Sequence, residues 1–497
     1  MQSEGTDSPH MNAEEFQRLG RMFLEWIPRY LDEVESMPIT PLGNPGDVRA
    51  ALPETPPTTA ESLEDVFRDL DTIVVPGLTH WQSPNWFAYF PCNHSYPSIL
   101  GELACAGIGI QGMLWATSPA CTEVESLMMD WMLEALGLPE KFRTAPRNEP
   151  RGSCQGGGVI QDTASSATLC ALLAARERAT DGVAGREGIS ACAPLCAYAS
   201  EHAHSSVEKA CGIAGIGRSA LRNVPTDEDH RMRPDALAQM IEADLAAGRV
   251  PFFVCSTAGT TASGAVDPTA EIAEITRKHG AWLHLDGAMY GAAAIAPEFR
   301  WVLDAAEHCN SVCVNAHKWL FTNFDCDLFW VDDRKALTRA MGIMPEYLRN
   351  QPTESGEVID YRDWQIPLGR RFRALKLWFV LRHYGLEGLQ ALVREHVAIA
   401  QEFADMIDAD EYFLRVASSP LSLVCIQHVD GDAATEKAME AVNATGLARL
   451  SHAKLDDQYV LRVAIGQSRT TLEHVHQLYS LLRDAARGVS TTTSAGQ

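Results

Sequence analysis

The sequence has 497 residues, of which 46% are hydrophobic and 21% charged, so the chain can bury a large core. Its formal net charge of −24 is spread along the chain, which argues against nucleic acid or an anionic membrane as a partner. The 13 cysteines include no CxxC pair, as is typical of a reducing compartment. Residues 1–10 show no secretory signal, and the apolar stretch 103–115 is shorter than the roughly 20 residues of a membrane span. These features predict a soluble cytoplasmic protein.

Residues 1–95 are predicted to form an N-terminal helical segment. Apolar residues recur with helical spacing from Phe16 to Ile27, and a second amphipathic stretch runs from Leu63 to Val74. A proline-rich link, Pro53–Thr59, separates the two stretches. Neither stretch has an obvious core of its own, so we expect this segment to pack against another surface.

Residues 96–372 alternate between helical stretches and short apolar strands, which predicts a large α/β domain with a mostly parallel sheet and helices on both faces. The predicted elements are the helices Ser165–Arg178 and Pro268–His279 and the strands Leu195–Ala199, Val250–Ser256, Trp282–Leu285 and Ser311–Val314. Ligands of such sheets bind at the carboxyl ends of the strands. The residues that follow each strand are therefore the candidates for chemistry.

Residues 373–487 show a different pattern, which predicts a small C-terminal α+β domain. The predicted elements are the helices Phe372–Tyr384, Leu386–Ile407 and Ala433–Asn443 and the strands Leu421–His428 and Tyr459–Ile465. Residues 488–497 are rich in serine, threonine and glycine and are predicted to form a flexible tail.

Asp286 and Lys318 each follow a predicted strand and are separated by about thirty residues. An aldehyde cofactor with a pyridine ring needs a lysine to bind it covalently and a carboxylate that faces the ring nitrogen. Taken alone, Asp286 is more often a helix cap and Lys318 a surface lysine. The pair becomes informative only through the residues around it.

The glycine-rich segment Gly156–Thr168 leads into a helix. Free backbone N–H groups at a helix start, together with the hydroxyls of Thr163 and Ser165, suit a phosphate group. The same two residues could simply cap the helix. The glycines do not form the GxGxxG pattern, which disfavours a dinucleotide.

His204 follows the predicted strand that ends near Ala199, so its imidazole could stack on a planar cofactor at the sheet edge. Glu201, His202 and His204 could alternatively bind a metal, but no further cluster at ligand spacing supports a metal site, and we predict none. His317, beside Lys318, is either a packed structural histidine or a cofactor contact.

Together these motifs form part of a longer series of blocks that resembles the group II pyridoxal-phosphate (PLP) decarboxylases, and among them the aromatic-L-amino-acid decarboxylases. The blocks keep one order from about residue 12 to residue 485 and are specific in sequence. They are His80–Pro84, Phe87–Pro91, Ser118–Glu123, His204–Glu208, Asn315–Lys318, Asn323–Cys326 and Asp363–Arg371.

The resemblance implies a fold-type I PLP-dependent transferase architecture with a seven-stranded sheet, and a homodimer that shares its active sites. In this dimer the N-terminal segment 1–95 is expected to pack on the partner subunit. It implies PLP as cofactor, Lys318 bound to it, Asp286 at its pyridine nitrogen and His204 stacked on its ring. Further cofactor contacts implied by the resemblance are Thr163, Ala164, Ser165, Thr257, Ala288, Asn315 and His317, with Leu368 and Gly369 supplied by the partner subunit. The implied aromatic wall of the substrate pocket consists of Trp81, Tyr89, Phe90 and Pro91.

Tyr347 matches the mobile-loop tyrosine of this family, the expected proton donor to the substrate Cα, either directly or through a bound neighbour. An ordinary loop anchor is the alternative role for this residue. The polar stretch Arg349–Glu357 is expected to act as a closing lid. Because both Tyr347 and His204 are retained, the resemblance favours release of an amine over release of an aldehyde.

Several positions depart from the family pattern. Asp162 replaces a usual glycine, and we expect its carboxylate to face away from the phosphate. Gln111 and Met113 stand where apolar and aromatic substrate contacts are frequent, and Cys92 stands where a small hydroxyl residue is common. Related plant enzymes tend to have glycine at the position of Gly369 for indole substrates and serine for phenols, so the resemblance favours tryptophan and related indoles, although animal relatives with glycine accept phenols as well.

The main prediction is thus decarboxylation of an aromatic L-amino acid to the amine and carbon dioxide. The alternatives are an aromatic aldehyde synthase, which also deaminates oxidatively, and a decarboxylase of a non-aromatic amino acid. A catalytically silent binding protein on the same fold is a further alternative, although Lys318 and Asp286 are both present.

Overall fold

The computed structural model describes residues 10–41, 43–145, 154–342, 358–418 and 420–494, with side chains up to residue 488. Tyr347 and the predicted lid Arg349–Glu357 lie outside the described residues. Within the described ranges, no helix is both long and apolar enough to cross a membrane.

The helices surround two sheets. In chain order, the described helices are α1 (Ala13–Glu33), α2 (Asp47–Ala51), α3 (Leu63–Asp69), α4 (Tyr96–Ile108), α5 (Pro119–Leu136), α6 (Ala164–Ala179), α7 (Val183–Glu187), α8 (Ser206–Ile213), α9 (Pro234–Ala246), α10 (Thr269–His279), α11 (Ala316–Trp319), α12 (Arg334–Met341), α13 (Ala374–Asp408), α14 (Asp432–Ala444) and α15 (Leu472–Ser494).

The large sheet has the strand order β1-β7-β6-β5-β4-β2-β3. Its strands are β1 (Gly157–Gln161), β2 (Leu195–Ser200), β3 (Leu221–Val224), β4 (Val250–Thr257), β5 (Trp282–Asp286), β6 (Ser311–Asn315) and β7 (Asp327–Val331). Strands β2 to β6 pair in parallel, whereas β7 is antiparallel to both β1 and β6. The four strands predicted from sequence are confirmed, and β1, β3 and β7 are additional.

Strand β1 shows why part of this sheet escaped sequence analysis. Its first residues are glycines, which have low strand propensity and favour a loop. In the structure these glycines allow close packing, because a Cβ on Gly157 would lie 2.7 Å from the Trp364 ring and one on Gly158 would lie 2.7 Å from Trp330. These glycines therefore allow the Trp364 and Trp330 rings to pack closely against the strand, and they do not form a turn.

The register of the parallel strands aligns the polar residues at their carboxyl ends. Thr257 of β4 pairs with Asp286 of β5, and Asp286 pairs with Cys313 of β6. All residues of β5 and β6 are buried, so a polar side chain at the ends of these strands lies in a low-dielectric edge of the sheet.

The small sheet has the order β10-β11-β9-β8 and is antiparallel. Its strands are β8 (Phe413–Arg415), β9 (Leu423–His428), β10 (Ser451–Leu455) and β11 (Gln458–Ala464). The two helices predicted on either side of Gly385 are merged into α13, with a kink at Gly385, where φ is 64°. Helix α15 extends through Ser494 into the predicted tail 488–497, because its buried residues, including Leu478 and Leu482, anchor a continuous helix.

The N-terminal helical segment packs partly on itself. The rings of Phe23 in α1 and Phe67 in α3 lie 5.5 Å apart, and Arg29 donates a hydrogen bond to Asp71 at 2.7 Å. Phe16 nevertheless stays 64% exposed, so this segment retains uncovered apolar surface. The domain boundaries taken from the sequence stay a prediction.

Candidate active site

A cavity of about 190 Å³ lies at the carboxyl edge of the large sheet. We call it the Lys318 cavity. Its lining residues are Phe90, Thr163, Ala164, Ser165, His204, Thr257, Gly259, Thr261, Asp286, Ala288, Met289, Asn315, His317 and Lys318. Apart from Phe90, which precedes α4, they come from the ends of β4, β5 and β6, the start of α6 and the loop before α8, which is the position that the parallel topology predicts for a ligand.

Lys318 lies in the short helix α11, directly after β6. With the Asn315 carboxamide oriented to satisfy both neighbours, its oxygen accepts from Lys318 Nζ at 3.3 Å and its nitrogen donates to Asp327 at 2.6 Å. Lys318 Nζ also lies 5.5 Å from the centroid of the Phe90 ring. Desolvation lowers the pKa of the Lys318 amine, while nearby Asp286 partly opposes this shift. A larger share of neutral, nucleophilic amine results.

Asp286 is the last residue of β5 and is 4% exposed. Its Oδ1 accepts a hydrogen bond from the backbone N–H of Ala288 at 3.0 Å. The Cys313 thiol of the neighbouring strand donates to the same oxygen, with 3.7 Å between Sγ and Oδ1. These donors stabilise a carboxylate at the sheet edge.

The two histidines of the cavity are held in defined tautomers by backbone donors. His204 Nδ1 accepts from the Ser206 N–H at 3.2 Å, and His317 Nδ1 accepts from the Cys326 N–H at 2.9 Å. Each proton is therefore on Nε2. Desolvation lowers the pKa of both rings, that of His317 to about 3. Both rings are neutral near pH 7.

The N-terminus of α6 forms one side of the cavity. Thr163 is its N-cap and makes no side-chain capping hydrogen bond, so capping does not explain this hydroxyl. The first N–H groups of a helix have no acceptor within the helix and bind anions. Asp162 is not among the lining residues, and its Oδ1 accepts from the Thr163 N–H at 2.6 Å. The cavity side of the helix end thus stays open to a phosphate.

The hydroxyl of Thr257 indicates which kind of ligand fits the Lys318 cavity. Its Oγ1 is buried in the cavity wall and, within the described part of the chain, has no partner with hydrogen-bond geometry. An unpaired buried hydroxyl is unfavourable and indicates a missing polar ligand atom. Together with an amine, a carboxylate and an anion-binding helix end, this donor set fits a phosphorylated pyridine aldehyde.

Comparison with known proteins identifies the family. The conserved-domain model of the pyridoxal-dependent decarboxylases matches residues 45–429. The chain belongs to the pyridoxal-dependent decarboxylase family. It is 42% identical to tyrosine decarboxylase 2 of Narcissus pseudonarcissus, covering 96% of this chain and 95% of that protein. It is 41% identical to phenylacetaldehyde synthase of Arabidopsis thaliana, covering 96% of both chains.

Solved structures agree with this family. The crystal structure of Oryza sativa TDC with PLP and tryptamine matches with a TM-score of 0.93 and 38% identity, covering 97% of this chain and 99% of that chain. The predicted fold-type I architecture and the resemblance to aromatic-L-amino-acid decarboxylases are therefore confirmed. The chain is a PLP-dependent carboxy-lyase, and PLP is its cofactor.

Only part of the predicted aromatic wall of this decarboxylase lies at the cavity. Phe90 lines it, whereas Trp81 and Tyr89 stack on each other with their ring centroids 5.7 Å apart and are not among the lining residues. Tyr89 is 53% exposed, and Pro91 packs beside Gly466, where a Cβ would lie 3.2 Å from its ring. Trp81, Tyr89 and Pro91 therefore do not line the Lys318 cavity within one chain.

A second group of predicted residues lies on the surface of the decarboxylase and not in the cavity. We call it the Gly369 surface, formed by Gln111, Met113, Ile366, Leu368 and Gly369. Gln111 Oε1 accepts from the Arg370 N–H at 2.6 Å, and the Met113 carbonyl accepts from the Arg362 N–H at 3.1 Å. Ile366 is 54% and Leu368 49% exposed. The two stretches of this surface thus meet, and none of their residues is among the described lining residues of the Lys318 cavity.

The three residues that could alternatively bind a metal point in different directions. Glu201 accepts from the N–H and hydroxyl of Thr226, both at 3.0 Å. His202 instead faces the ring of His230, with 5.6 Å between centroids, while His204 lines the cavity. Among the described residues, no group of three or more His, Cys, Asp and Glu side chains is arranged to hold a metal.

Sequence analysis of the decarboxylase missed Gly259, Thr261 and Met289 in the cavity wall. Gly259 and Thr261 follow β4 directly, so the strand-end rule used for Asp286 could have found them. Gly259 has a φ of 92°, and a Cβ there would lie 2.6 Å from the Tyr290 ring, so the close approach requires glycine.

Arg462 was also missed, because it lies in β11 of the small sheet. Its guanidinium is 5.1 Å from the centroid of the Phe90 ring, and its buried Nε and Nη2 find no hydrogen-bond partner among the residues that the structure describes. This positive charge also helps to lower the pKa of Lys318. The sequence signal that could have identified Arg462 is the presence of an arginine within an otherwise apolar strand pattern.

Proposed function

We propose that this enzyme decarboxylates an aromatic L-amino acid to the corresponding amine and carbon dioxide, with a preference for tryptophan and related indoles. The observation that supports this most strongly is the grouping of Lys318, Asp286 and His204 around one cavity beside an open helix N-terminus. Relatives named tyrosine decarboxylase and TDC support the aromatic substrate class.

The roles of the cavity residues follow from their chemistry. PLP, when bound, provides a protonated pyridine ring that accepts the electron pair left at Cα when the carboxylate departs. We assign Lys318 Nζ to the covalent attachment of the cofactor, since its lowered pKa increases the neutral amine. We assign the Asp286 carboxylate to holding the proton of the ring nitrogen.

The remaining contacts position the two ends of the cofactor. The N–H groups at the start of α6 and the hydroxyls of Thr163 and Ser165 would hold the phosphate, with Asn315 and His317 beside them. The unpaired Thr257 hydroxyl and the backbone around Ala288 would contact the ring. A neutral His204 can stack on the ring without adding a positive charge next to the protonated nitrogen.

Tyr347 is assigned to the return of a proton to Cα, which completes the amine. This role rests on the sequence match, because the residue lies outside the described residues. Tyr347→Phe is expected to reduce amine release and raise aldehyde output under air. Measured amine production equal to that of the wild-type enzyme would remove Tyr347 from the proposed mechanism.

A homodimer with shared active sites is proposed on the basis of exposed apolar residues. Helix α4 exposes a stripe of large side chains: Tyr96, Leu100, Leu103 and Ile108 are each 48–55% exposed. Phe324, at 56% exposure, extends this patch towards the cavity, since its ring lies 4.8 Å from that of His317. Contiguous apolar surface of this kind is typical of protein interfaces.

Sharing would bring the Gly369 surface of one subunit to the Lys318 cavity of the other. Gly369 would then leave room for an indole ring, which is the basis of the tryptophan preference. Gln111 limits this room, because a Cβ at position 369 would lie 3.1 Å from its Nε2. Its carboxamide, exposed beside Gly369, would be a polar neighbour of the substrate ring. We further propose that the dimer works in the cytoplasm.

One alternative has a specific observation in its favour. The chain is nearly as similar to phenylacetaldehyde synthase as to tyrosine decarboxylase 2, so similarity alone does not exclude oxidative release of an aldehyde. A non-aromatic acidic substrate is less favoured, because among the described lining residues of the cavity Lys318 is the one cationic side chain. A silent binding protein is disfavoured by the complete set of cofactor residues.

The test is product analysis of the PLP-loaded enzyme with a panel of L-amino acids under air, together with oxygen uptake. Tryptamine as the main product supports the proposal in full. Tyramine or dopamine with little tryptamine would keep the reaction and overturn the indole preference. Aldehyde with peroxide would replace the decarboxylase by the synthase.

A further inference from the structure

A row of buried polar side chains runs along β5 and β6 and ends at Asp286. Trp282 Nε1 lies 2.8 Å from Ser311 Oγ, which lies 2.9 Å from His284 Nδ1. His284 Nε2 lies 3.8 Å from Cys313 Sγ, which lies 3.7 Å from Asp286 Oδ1. All five residues are less than 5% exposed. The row brings a chain of hydrogen bonds to Asp286, the one carboxylate among the described lining residues of the cavity.

The chemistry of the members determines the direction of this row. An indole N–H can only donate, so Ser311 Oγ accepts from Trp282 and has one hydrogen left to donate. Within the described part of the chain, its recorded neighbour for that hydrogen is His284 Nδ1. His284 then bears its proton on Nε2, which points at Cys313, and the thiol hydrogen is left for Asp286.

The opposite direction is less favourable. If His284 bore its proton on Nδ1, the Ser311 hydrogen would lose its acceptor and the thiol would turn from Asp286 to His284 Nε2. Burying hydroxyl hydrogens without partners is costly. Desolvation also lowers the pKa of His284 to about 4, so the ring is neutral and has a single proton to place.

We propose that Cys313 is a positioning residue: it donates the terminal hydrogen bond of the row Trp282–Ser311–His284–Cys313 to Asp286 and thereby keeps this carboxylate aimed at the cofactor ring nitrogen. This inference rests on the proposed role of Asp286. It names the residues that hold Asp286 in place for this role. His284 is proposed to fix the direction of the hydrogen bonds in the row and not to contact the substrate.

Other charged and titratable groups also act on Asp286. Lys318 faces it from α11, and Asp327 of β7 and Cys255 of β4 interact with it electrostatically. The Ala288 N–H donates to the same oxygen as the thiol. Cys255 is a useful comparison, because it is buried, pairs in register with His284, and its recorded thiol hydrogen bond goes to the Ser256 carbonyl at 3.9 Å.

The experiment compares Cys313→Ala with the control Cys255→Ala. Both remove one buried thiol from a strand that pairs with β5, Cys313 from β6 and Cys255 from β4, so both create a similar small cavity. Two quantities are measured: the dissociation constant of PLP from the reconstituted apoenzyme, and the ¹⁵N NMR shift of the ring nitrogen in ¹⁵N-labelled PLP bound to the enzyme. Thermal melting of each apoenzyme checks that the variants fold.

We expect Cys313→Ala to weaken PLP binding about fivefold, which is within the range expected for losing one hydrogen bond, and to move the ring ¹⁵N shift towards unprotonated pyridine. Cys313→Ser, which still has a hydrogen to donate, should retain the wild-type shift. Cys255→Ala should alter both quantities much less than Cys313→Ala does, because the Cys255 thiol donates to the Ser256 carbonyl and not to Asp286. An unchanged shift in Cys313→Ala, an equal change in Cys255→Ala, or failure of Cys313→Ser to retain the shift would overturn the inference.

Asp286→Asn separates this inference from the proposed function. If that variant weakens PLP binding at least tenfold while Cys313→Ala has no effect, only the role of the row is wrong. If Asp286→Asn binds PLP as the wild type does, the role of Asp286 itself is wrong, and the inference falls with it.

Discussion

The Lys318 cavity and the Gly369 surface differ in how completely one chain builds them. In the cavity, strand ends bring Thr257, Asp286 and Asn315 to one buried edge, and hydrogen bonds within the chain orient the side chains. On the Gly369 surface, Leu368 and its neighbours face solvent, although they too belong to the predicted site. One chain therefore builds most of the proposed cofactor site, and we propose that a second copy of the chain completes the site with its Gly369 surface.

The Gly369 surface is exposed but firmly held. Gln365 Nε2 donates to the carbonyls of Pro367 at 2.5 Å and Gly369 at 3.2 Å. Arg370, at the end of the loop, forms an ion pair with Glu125, and both side chains are fully buried. The loop is held by these hydrogen bonds and by the buried ion pair, and it exposes apolar side chains. These are properties of a preformed interface rather than of a disordered connection.

The largest expected effect is that of Lys318→Ala. Without the amine, we expect activity to fall about 10³-fold or more, and the visible absorbance of the bound cofactor to disappear. Lys376→Gln is a suitable control, because Lys376 is 1% exposed and forms an ion pair with Glu102 at 3.1 Å. Survival of the absorbance band in Lys318→Ala would show that another residue binds the cofactor.

The second prediction tests whether the two regions belong to one active site. Lys318→Ala and Gly369→Trp should each be inactive, but a hybrid dimer of the two variants contains one site with both positions intact. We expect the hybrid to recover about half of the wild-type activity, in keeping with two equivalent sites in a symmetric dimer. Activity is measured on hybrids purified through two different affinity tags.

A matched hybrid provides the control for this experiment. Lys318→Ala and Asp286→Asn alter the same cavity, so their hybrid should remain as inactive as the parents. Equal recovery in both hybrids, or recovery in neither, would mean that the Gly369 surface does not complete the cavity of a partner subunit.

The third prediction concerns pH and the cavity alone. Cofactor attachment requires the neutral amine, so its rate should rise with pH and level off above the pKa of Lys318. Because desolvation lowers that pKa, the plateau should be reached below the ordinary lysine value of about 10.4. Stopped-flow absorbance of apoenzyme mixed with PLP, from pH 6 to pH 10, measures this rate.

Asp286→Asn refines the same measurement. The carboxylate raises the pKa of Lys318, so its removal should move the plateau to still lower pH. A wild-type rate that keeps rising tenfold per pH unit up to pH 10 would contradict the lowered pKa, and a plateau shifted upwards in Asp286→Asn would contradict its stated cause.

The smallest expected effect lies on the Gly369 surface. Gly369→Ser should lower kcat/KM for tryptophan relative to tyrosine about tenfold, since the added atoms compete with the indole and with Gln111 for the same space. The double variant Gln111→Ala/Gly369→Ser should recover part of this loss, because the two neighbours are coupled. Equal effects on both substrates would mean that position 369 does not discriminate between rings.

The fold could be predicted in part because its patterns are local. Strands β2, β4, β5 and β6 are continuous apolar runs bounded by polar residues, and each was found within two residues of its true ends. Strand β1 was missed because its glycines favour a loop, and β3 because it is a short, half-exposed edge strand. Packing against Trp364 and Trp330, which no local pattern reveals, makes β1 a strand.

By itself, the sequence determined the family, the cofactor and the two residues, Asp286 and Lys318, that stand at consecutive strand ends. These follow from short motifs and from the rule that parallel strands end at one edge. Only the tertiary structure decided that Trp81 and Tyr89 stack away from the cavity, and that Arg462 and Cys313 reach Phe90 and Asp286. Such contacts depend on strand order and register, which join distant parts of the chain and leave no local pattern in it.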